Sequence, residues 1–292
     1  MLEIFSGLVT GFFTNLIKDI HDSLAGAAEN YLLSTHDLST LSPRPLTDEP
    51  ALQGMFHLTL AMADLLLVLV FTWAFFRSQW EHTSFRPHYT LKIVLPRAMA
   101  AILMAHFGLL FGQMAIDLNN AMVHAVWTQP LPGGAPQMPW TFALDNAFGL
   151  PLFEIVIRLA IVVMLVIVAF TYVVRFALLA VLLAVVPLAA ICMILPETKR
   201  YAQSWLRLFI LTVFMQFGQV LVLRFASLFA DQIGSRPLEA LYGVAVLYLL
   251  IKVPGLMNAS AHLEGKVEHV AEGIGKKASK AAIGTARATR AS

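Results

Sequence analysis

Long apolar stretches alternate with short polar or Pro/Gly-rich segments along the chain. The apolar stretches cover residues 51–76, 93–116, 155–195, 205–229 and 238–253. The hydrocarbon core of a bilayer takes about 20 residues of helix, and a backbone placed there must satisfy its own amides, which a helix does. The pattern therefore predicts an all-α, polytopic helical membrane protein.

The stretch 155–195 decides the number of crossings. At about 1.5 Å per residue it forms roughly 60 Å of helix, about twice the thickness of the hydrocarbon core. Either it turns at Arg175 and crosses twice, or it crosses once and continues beyond the membrane or along its surface. The first alternative gives six transmembrane helices and the second gives five.

Lysine and arginine in the loops orient the chain, because cytoplasmic loops carry an excess of them. The connection 77–97 and the tail 255–292 are rich in these residues, and the loop 128–150 has none. In residues 1–50, most of the charged side chains are acidic. The pattern places the N-terminus and 128–150 outside, and 77–97 and the tail inside. An outside start and an inside end need an odd number of crossings, so we expect about five.

The N-terminal region differs from the spans. Residues 2–25 predict an amphipathic helix, because apolar pairs recur at helical spacing with polar residues between them. The acidic polar face favours packing on protein over binding to anionic lipid. Turn-forming residues make 34–50 a predicted linker. We therefore expect three parts: an external helix and linker over 1–50, a transmembrane domain over 51–254 with an external loop at 128–151, and a basic cytoplasmic tail over 255–292.

Composition supports the membrane assignment and narrows the chemistry. Hydrophobic residues make up 58% of the chain and charged residues 13%, against about 45–50% and about 25% in soluble domains, so the apolar surplus must face lipid. The single cysteine, Cys192, excludes a disulfide framework within one chain. The sequence has no nucleophile elbow, phosphate loop, dinucleotide fingerprint or metal-binding histidine spacing. We expect neither an enzyme nor a cofactor.

Two predicted spans each carry a narrow stripe of polar residues. At 100° per residue, the stripe of the second span falls within about 60° around the helix. Polar side chains at this depth face the bundle interior, a partner subunit or water rather than lipid. The stripes therefore indicate either hydrogen bonds between helices or a hydrated lumen or subunit seam. Their members are His106, Gln113, Asp117, Asn120 and His124 on the second span, and Thr212, Gln216, Gln219 and Ser227 on the span that begins at Trp205.

An intramembrane histidine–aspartate pair is predicted on the first span. His57 and Asp64 are seven residues apart and share one helix face. Near His106 they could relay protons, or they could form a satisfied pair between helices. A charged residue in mid-span costs about 2.5–3.5 kcal/mol on insertion scales, so we expect Asp64 to have a partner or to be protonated.

Residues of about 170–255 resemble the TrbL-like family of polytopic inner-membrane proteins from bacterial type IV secretion and conjugal-transfer machines. The resemblance rests on the run Tyr172–Arg175, on the apolar residues up to Pro187-Leu188-Ala189, on Leu195-Pro196, and on the Trp205-led span with Gln216 and Gln219. The residues that match the family motif are Arg175, Pro187, Pro196 and Trp205.

The resemblance implies a non-enzymatic channel or scaffold subunit of the bacterial inner membrane, with a periplasmic N-terminus and a cytoplasmic C-terminus. It implies a ring of subunits at the base of the stalk or pilus. The implied partners are the lipid bilayer, further copies of the chain, secretion ATPases, bitopic inner-membrane scaffold proteins and the minor pilin of the stalk, with transient contact to the transferred DNA–relaxase or protein substrate. The alternatives are a small multi-pass transporter or an ion or proton channel, and, third, an intramembrane enzyme. The sequence shows neither an internal repeat nor a nucleophile–base pair that would favour them.

The topology can be tested by labelling single cysteines in a Cys192→Ser background. We expect Ala135→Cys to react with a membrane-impermeant thiol reagent in intact cells, and Ala278→Cys to react only after permeabilisation, because the basic tail stays inside. Labelling is read as a mass shift on gels. Reaction of the tail from outside would mean six crossings.

Overall fold

The computed structural model describes residues 45–81, 91–130, 151–195, 197–230 and 241–257, together with Asp19, Ser23, Gly26 and Thr35. These residues form helices and short turns, and no strand occurs among them. The predicted all-α, polytopic membrane class is confirmed. The predicted helix over 2–25 lies outside the described residues apart from isolated positions, as do the Pro/Gly-rich loop beyond Pro130 and the basic tail beyond Met257.

Among the described residues, seven helices follow a short 3-10 turn over Leu46–Asp48. Proline occupies the first position of two of them, Pro50 and Pro151, where its missing N–H costs nothing and its fixed φ suits a helix. In chain order the helices are α1 (Pro50–Glu81), α2 (Leu91–His106), α3 (Gly108–Thr128), α4 (Pro151–Ala184), α5 (Val186–Ile191), α6 (Lys199–Ala230) and α7 (Leu241–Met257).

Three of these helices are long and apolar enough to cross a membrane: Pro50–Arg77 in α1, Leu159–Ala184 in α4 and Lys199–Phe229 in α6. The pair α2–α3 makes a fourth if its two halves form one broken span, and α7 is apolar but shorter. Helix α4 runs without interruption through Arg175, as expected for a single passage of 155–195. The count of five crossings stays a prediction.

The second predicted span is broken, so the prediction of one helix that carries the whole stripe from His106 to His124 is wrong. Helix α2 ends at His106, α3 begins at Gly108, and the two are inclined by 71°. Phe107 between them has φ −99° and ψ 12°, in the bridge region of backbone space. The two halves have different neighbours, because α2 packs mainly against α5 and α3 mainly against α6. The bend lets each half bury its own face.

The interior of residues 45–251 consists of three apolar clusters. One lies where the C-terminal halves of α3 and α6 and the N-terminal half of α4 meet α7, around Leu165, Leu223 and Leu247. A second joins the 3-10 turn to α3, α4 and α6, and a third joins α1 and α2 to α5 through small residues such as Ala63 and Ala101. Large apolar side chains also cover the outside, including Leu65 and Phe170. They form the surface that faces lipid.

Two glycines bring α3 against the end of α4 and the start of α5. A Cβ atom on Gly108 would lie 2.3 Å from Val186 Cγ1, and one on Gly112 would lie 2.2 Å from Leu183 Cδ2. Real contacts of this kind do not occur, so a larger residue at either position requires the facing side chain to move. Small residues four apart are a common means of close helix packing in membranes, and here the pair fixes α3 beside the broken end of α4.

We expect Gly108→Ala to destabilise the bundle by about 1–3 kcal/mol, the usual cost of overpacking, because Val186 is β-branched and has few rotamers to which it can retreat. The measurement is thermal unfolding of the detergent-solubilised protein. Gly54→Ala in α1 is the matched control: its Cβ meets nothing within 4 Å, and alanine favours the helix by up to about 1 kcal/mol. Val186→Ala should restore stability to the Gly108→Ala protein; equal stability of the two glycine variants would refute the close contact.

Candidate functional site: a buried polar network

Arg175 lies in the membrane-crossing part of α4 with its guanidinium buried in the bundle. Its side chain donates three hydrogen bonds: Nε to the Thr212 carbonyl at 2.9 Å, Nη2 to the Val213 carbonyl at 3.1 Å, and Nη1 to Thr35 Oγ1 at 3.1 Å. Because a buried charge is tolerated only when it is fully hydrogen-bonded, these contacts fix α6 and the segment at Thr35 on one face of α4.

Thr35 connects this arginine to two further helices. Its hydroxyl accepts from Arg175 and donates to Gln216 Oε1 at 2.6 Å. Its backbone N–H donates to Asn120 Oδ1 at 3.1 Å, and its carbonyl accepts from Asn120 Nδ2 at 3.4 Å. One residue therefore contacts α3, α4 and α6 through side chain and backbone together.

The described residues of 34–50 contact the membrane helices. Thr35, Leu46 and Thr47 are buried, and the 3-10 turn packs against α3. Thr47 Oγ1 donates to Gln113 Oε1 at 3.0 Å, and Gln53 Nε2 donates to the Thr47 carbonyl at 3.1 Å. The polar groups of Thr35 and Thr47 are therefore paired with polar groups of the helices, a contact that composition does not predict.

The stripe predicted on α6 faces the bundle interior. Thr212, Gln216, Gln219 and Ser227 are all buried. Thr212 Oγ1 donates to the Leu208 carbonyl at 2.7 Å, Gln219 Nε2 to the Leu250 carbonyl at 3.4 Å, and Ser227 Oγ to the Arg224 carbonyl at 2.8 Å. Of the two meanings that the stripe allowed, these contacts correspond to hydrogen bonding within the protein.

The stripe predicted on the second span is divided by the structure. His106 belongs to α2, on the other side of the bend, so the five residues do not share one helix. Gln113 and Asn120 are partly buried against Thr47 and Thr35. Asp117 and His124 are exposed on the outside of the chain, where Asp117 Oδ1 accepts from Gln113 Nε2 at 2.7 Å.

Asn119 is the member of the network that sequence reasoning missed. Its side chain is wholly buried, and its Nδ2 donates to Gln216 Oε1 at 3.0 Å. It lies outside the stripe because it belongs to the neighbouring face of α3, which also holds the buried Ile116 and Val123. A polar residue at the apolar spacing of a helix was the signal that could have found it.

Asp64 is paired with His106 and not with His57, the partner that the spacing on α1 had suggested. Asp64 Oδ1 lies 3.9 Å from Nε2 of His106 across α1 and α2, with both side chains about half exposed. His57 is exposed on α1, with its ring edge-on to that of Phe56. The seven-residue spacing placed His57 and Asp64 on one face but about 10 Å apart along the helix, which is too far for contact.

The sequence model of the family described as TrbL/VirB6 plasmid conjugal transfer like protein matches residues 2–292. The chain belongs to this family. The match confirms the resemblance and extends it from about 170–255 to nearly the whole chain, and it makes the protein a membrane component of a conjugal transfer or type IV secretion system. Comparison with curated proteins and with solved structures gave no match.

Two of the residues that resemble the family motif act at the break between α4 and α5. Pro187 has no N–H for the carbonyl one turn earlier, and α4 ends at Ala184. Carbonyls freed at such an end need other donors. Trp205 Nε1 donates to the Leu182 carbonyl at 3.2 Å, and Thr59 Oγ1 donates to the Ala184 carbonyl. Pro196 lies outside the described residues.

Several buried polar atoms of this TrbL/VirB6 family member have no partner among the described residues. They include Asn119 Oδ1, Tyr172 OH and Gln219 Oε1, one from each of α3, α4 and α6. Buried oxygens of this kind are the usual partners of internal water. Within the described residues, no group of three histidine, cysteine, aspartate or glutamate side chains is placed to hold a metal ion.

We expect Thr35→Val to destabilise the bundle by about 1–3 kcal/mol, since it keeps the shape of the side chain but removes the acceptor of the buried Arg175 Nη1 and one of the donors to Gln216 Oε1. Thermal unfolding in detergent gives the change, and limited proteolysis shows whether the N-terminal segment is released. Thr35→Ser is the control, because it keeps the hydroxyl and loses only a methyl group, worth about 0.8 kcal/mol. An equal loss of stability in both variants would show that the Thr35 hydroxyl does not stabilise the bundle.

Proposed function

We propose that the chain is a channel or scaffold subunit of a conjugal transfer machine in the bacterial inner membrane, assembled with further copies as a ring at the base of the stalk or pilus. The observation that carries the proposal is the pair of polar side chains, Asp117 and His124, on the outer surface of a membrane-spanning element. A carboxylate facing lipid is costly, so this surface requires a protein or aqueous neighbour.

The position of these side chains on α3 supports a neighbour beside the bundle. The buried face of α3 carries Gly108, Gly112, Ile116, Asn119 and Val123. At 100° per residue, Asp117 and His124 lie about 130° from the centre of that face. They are therefore on the flank, next to the exposed apolar side of the helix, where Leu118 is 56% exposed.

The two stripes have separate roles in this proposal. The α6 stripe is engaged in hydrogen bonds inside one subunit, so it stabilises the subunit. The α3 flank is available at the surface, so it forms the seam between neighbouring subunits or lines the space that they enclose. A ring built in this way presents polar groups inward and the apolar faces of α1 and α4 to lipid.

The orientation in this proposal follows the distribution of basic residues. The N-terminal region and the loop after α3 are periplasmic, where they meet the minor pilin or stalk. The connection between α1 and α2, the start of α6 at Lys199 and Arg200, and the basic tail are cytoplasmic. The cytoplasmic side meets the secretion ATPases and the bitopic scaffold proteins, and the DNA–relaxase or protein substrate passes the ring.

Cysteine cross-linking tests the seam. In a Cys192→Ser background we expect Asp117→Cys and His124→Cys, each introduced singly, to give cross-linked dimers in membranes with an oxidant or a short bifunctional thiol reagent, because equivalent flanks meet or face each other in a ring. Leu118→Cys, one position along the same helix, is the matched control and should stay largely monomeric. Products are separated on non-reducing gels.

Further substitutions at the same positions are then assayed for transfer frequency in mating experiments, which tests whether the seam is needed for function. Asp117→Leu should abolish transfer while the protein still accumulates in the membrane, whereas Leu118→Ala should transfer normally. A purified protein that is monomeric by mass, with α3 cysteines that never cross-link and Asp117→Leu transferring at the wild-type rate, would contradict the ring.

A further inference from the structure

A cavity of about 350 Å³ lies between the C-terminal part of α3 and the C-terminal part of α6. Its size is within the range of small-molecule sites. Its mouth is on the outside of the bundle, since Phe225 is 56% and Leu221 36% exposed. The lining is almost entirely apolar and includes one charged side chain, Arg224. The lining residues are Ala125, Val126, Gln129, Leu221, Arg224, Phe225 and Leu228.

The charged side chain, Arg224, is only 3% exposed and incompletely hydrogen-bonded. Its Nη2 donates to the Gln129 carbonyl at 2.6 Å, and its Nη1 lies 3.5 Å from Ser227 Oγ. Its Nε has no partner in the part of the chain that the structure describes. An unmade hydrogen bond on a buried cation is unfavourable, so this N–H calls for an acceptor from outside the described protein.

The contrast with the other buried arginine of these helices is informative. Arg175 bonds through Nε and both Nη atoms to protein oxygens. Arg224 uses its Nη atoms to hold the end of α3 and leaves Nε beside an open apolar cavity. All three guanidinium nitrogens of Arg175 therefore bond to protein oxygens, whereas Nε of Arg224 can still donate to an anionic oxygen of a ligand.

The depth of Arg224 in the membrane identifies the ligand. Helix α6 ends at Ala230, six residues or about 9 Å further along its axis. Gln129, which Arg224 contacts, directly follows the last residue of α3. The guanidinium therefore lies at the end of two membrane helices, near the level of lipid phosphates, and the apolar cavity lies beside it on the surface that faces acyl chains.

We propose that this cavity binds an anionic phospholipid. A phosphodiester oxygen accepts a charge-assisted hydrogen bond from Arg224 Nε, and an acyl chain lies in the groove between α3 and α6. A soluble anion would not use the apolar lining, and a zwitterionic lipid would bring its own cation to the arginine. The proposal depends on the membrane location of these helices and is independent of the ring.

The test uses the purified full-length protein in detergent, with lipid binding followed by native mass spectrometry and by thermal stability. We expect phosphatidylglycerol to bind and to raise the unfolding temperature, and phosphatidylethanolamine and inorganic phosphate to have little effect. Stabilisation by inorganic phosphate to the same extent would indicate a simple anion site and overturn the proposal. Equal binding of the two lipids would overturn it as well.

Two variants locate the site. Arg224→Gln should weaken phosphatidylglycerol binding about tenfold or more, the loss expected for a charge-assisted bond. Ala125→Phe should weaken it by filling the groove while Arg224 is kept, which separates lost binding from misfolding. Arg200→Gln, at the exposed opposite end of α6, is the charge-matched control and should bind normally. Wild-type binding by both site variants, or equal loss in the control, would refute the site.

Discussion

The guanidinium of Arg175 is the constraint on which the rest of the bundle depends. It carries a full charge at a depth where water does not compete, so its donors must be met by protein oxygens. Two acceptors are carbonyls of α6, and the third is the hydroxyl of Thr35. Because the two α6 carbonyls do not complete the set, Thr35 supplies the third acceptor from outside the membrane helices.

The need to satisfy every buried polar group also explains how two predicted helices can break while their backbone groups stay hydrogen-bonded. Pro187 removes a donor where α4 ends, and Thr59 from α1 and Trp205 from α6 supply donors to carbonyls of the last turn. At Phe107, the N–H still bonds to the Leu103 carbonyl and the carbonyl accepts from Phe111, at 2.9 and 3.0 Å. Irregular backbone at membrane depth is tolerated where protein groups satisfy its polar atoms, and at both breaks hydrogen bonds of this kind are present.

The length of the apolar stretches predicted the features that depend on contact with lipid or water. It did not predict the features that depend on contacts between helices. The class and the three long spans follow from apolar runs, whereas the length of 155–195 left open both a turn at Arg175 and a single passage. The break at Phe107 does not, since no proline stands there; it follows from the separate neighbours of α2 and α3. The family model confirmed a resemblance that rested on residues around Arg175 and Pro187. What these residues do, at a buried charge and at a helix end, is visible only in three dimensions.

The candidate site was predicted by half for a related reason. Helical spacing gives the angle of a residue on its own helix but not which neighbour that angle meets. It placed Gln216 and Asn120 on polar stripes, and both belong to the network. It could not show that Thr35, far away in the chain, occupies the space between them, or that His106 rather than His57 meets Asp64.

The polar groups of α3 therefore divide according to what the single chain can satisfy. Asn119 and Asn120 find partners inside the subunit, whereas Asp117 finds only Gln113 of its own helix and stays open on the flank. In a bilayer, an open carboxylate favours any assembly that covers or hydrates it, and a symmetric ring covers the same flank in every copy. Asp117 and His124 thus form the exposed polar surface of α3 on which the proposed ring depends.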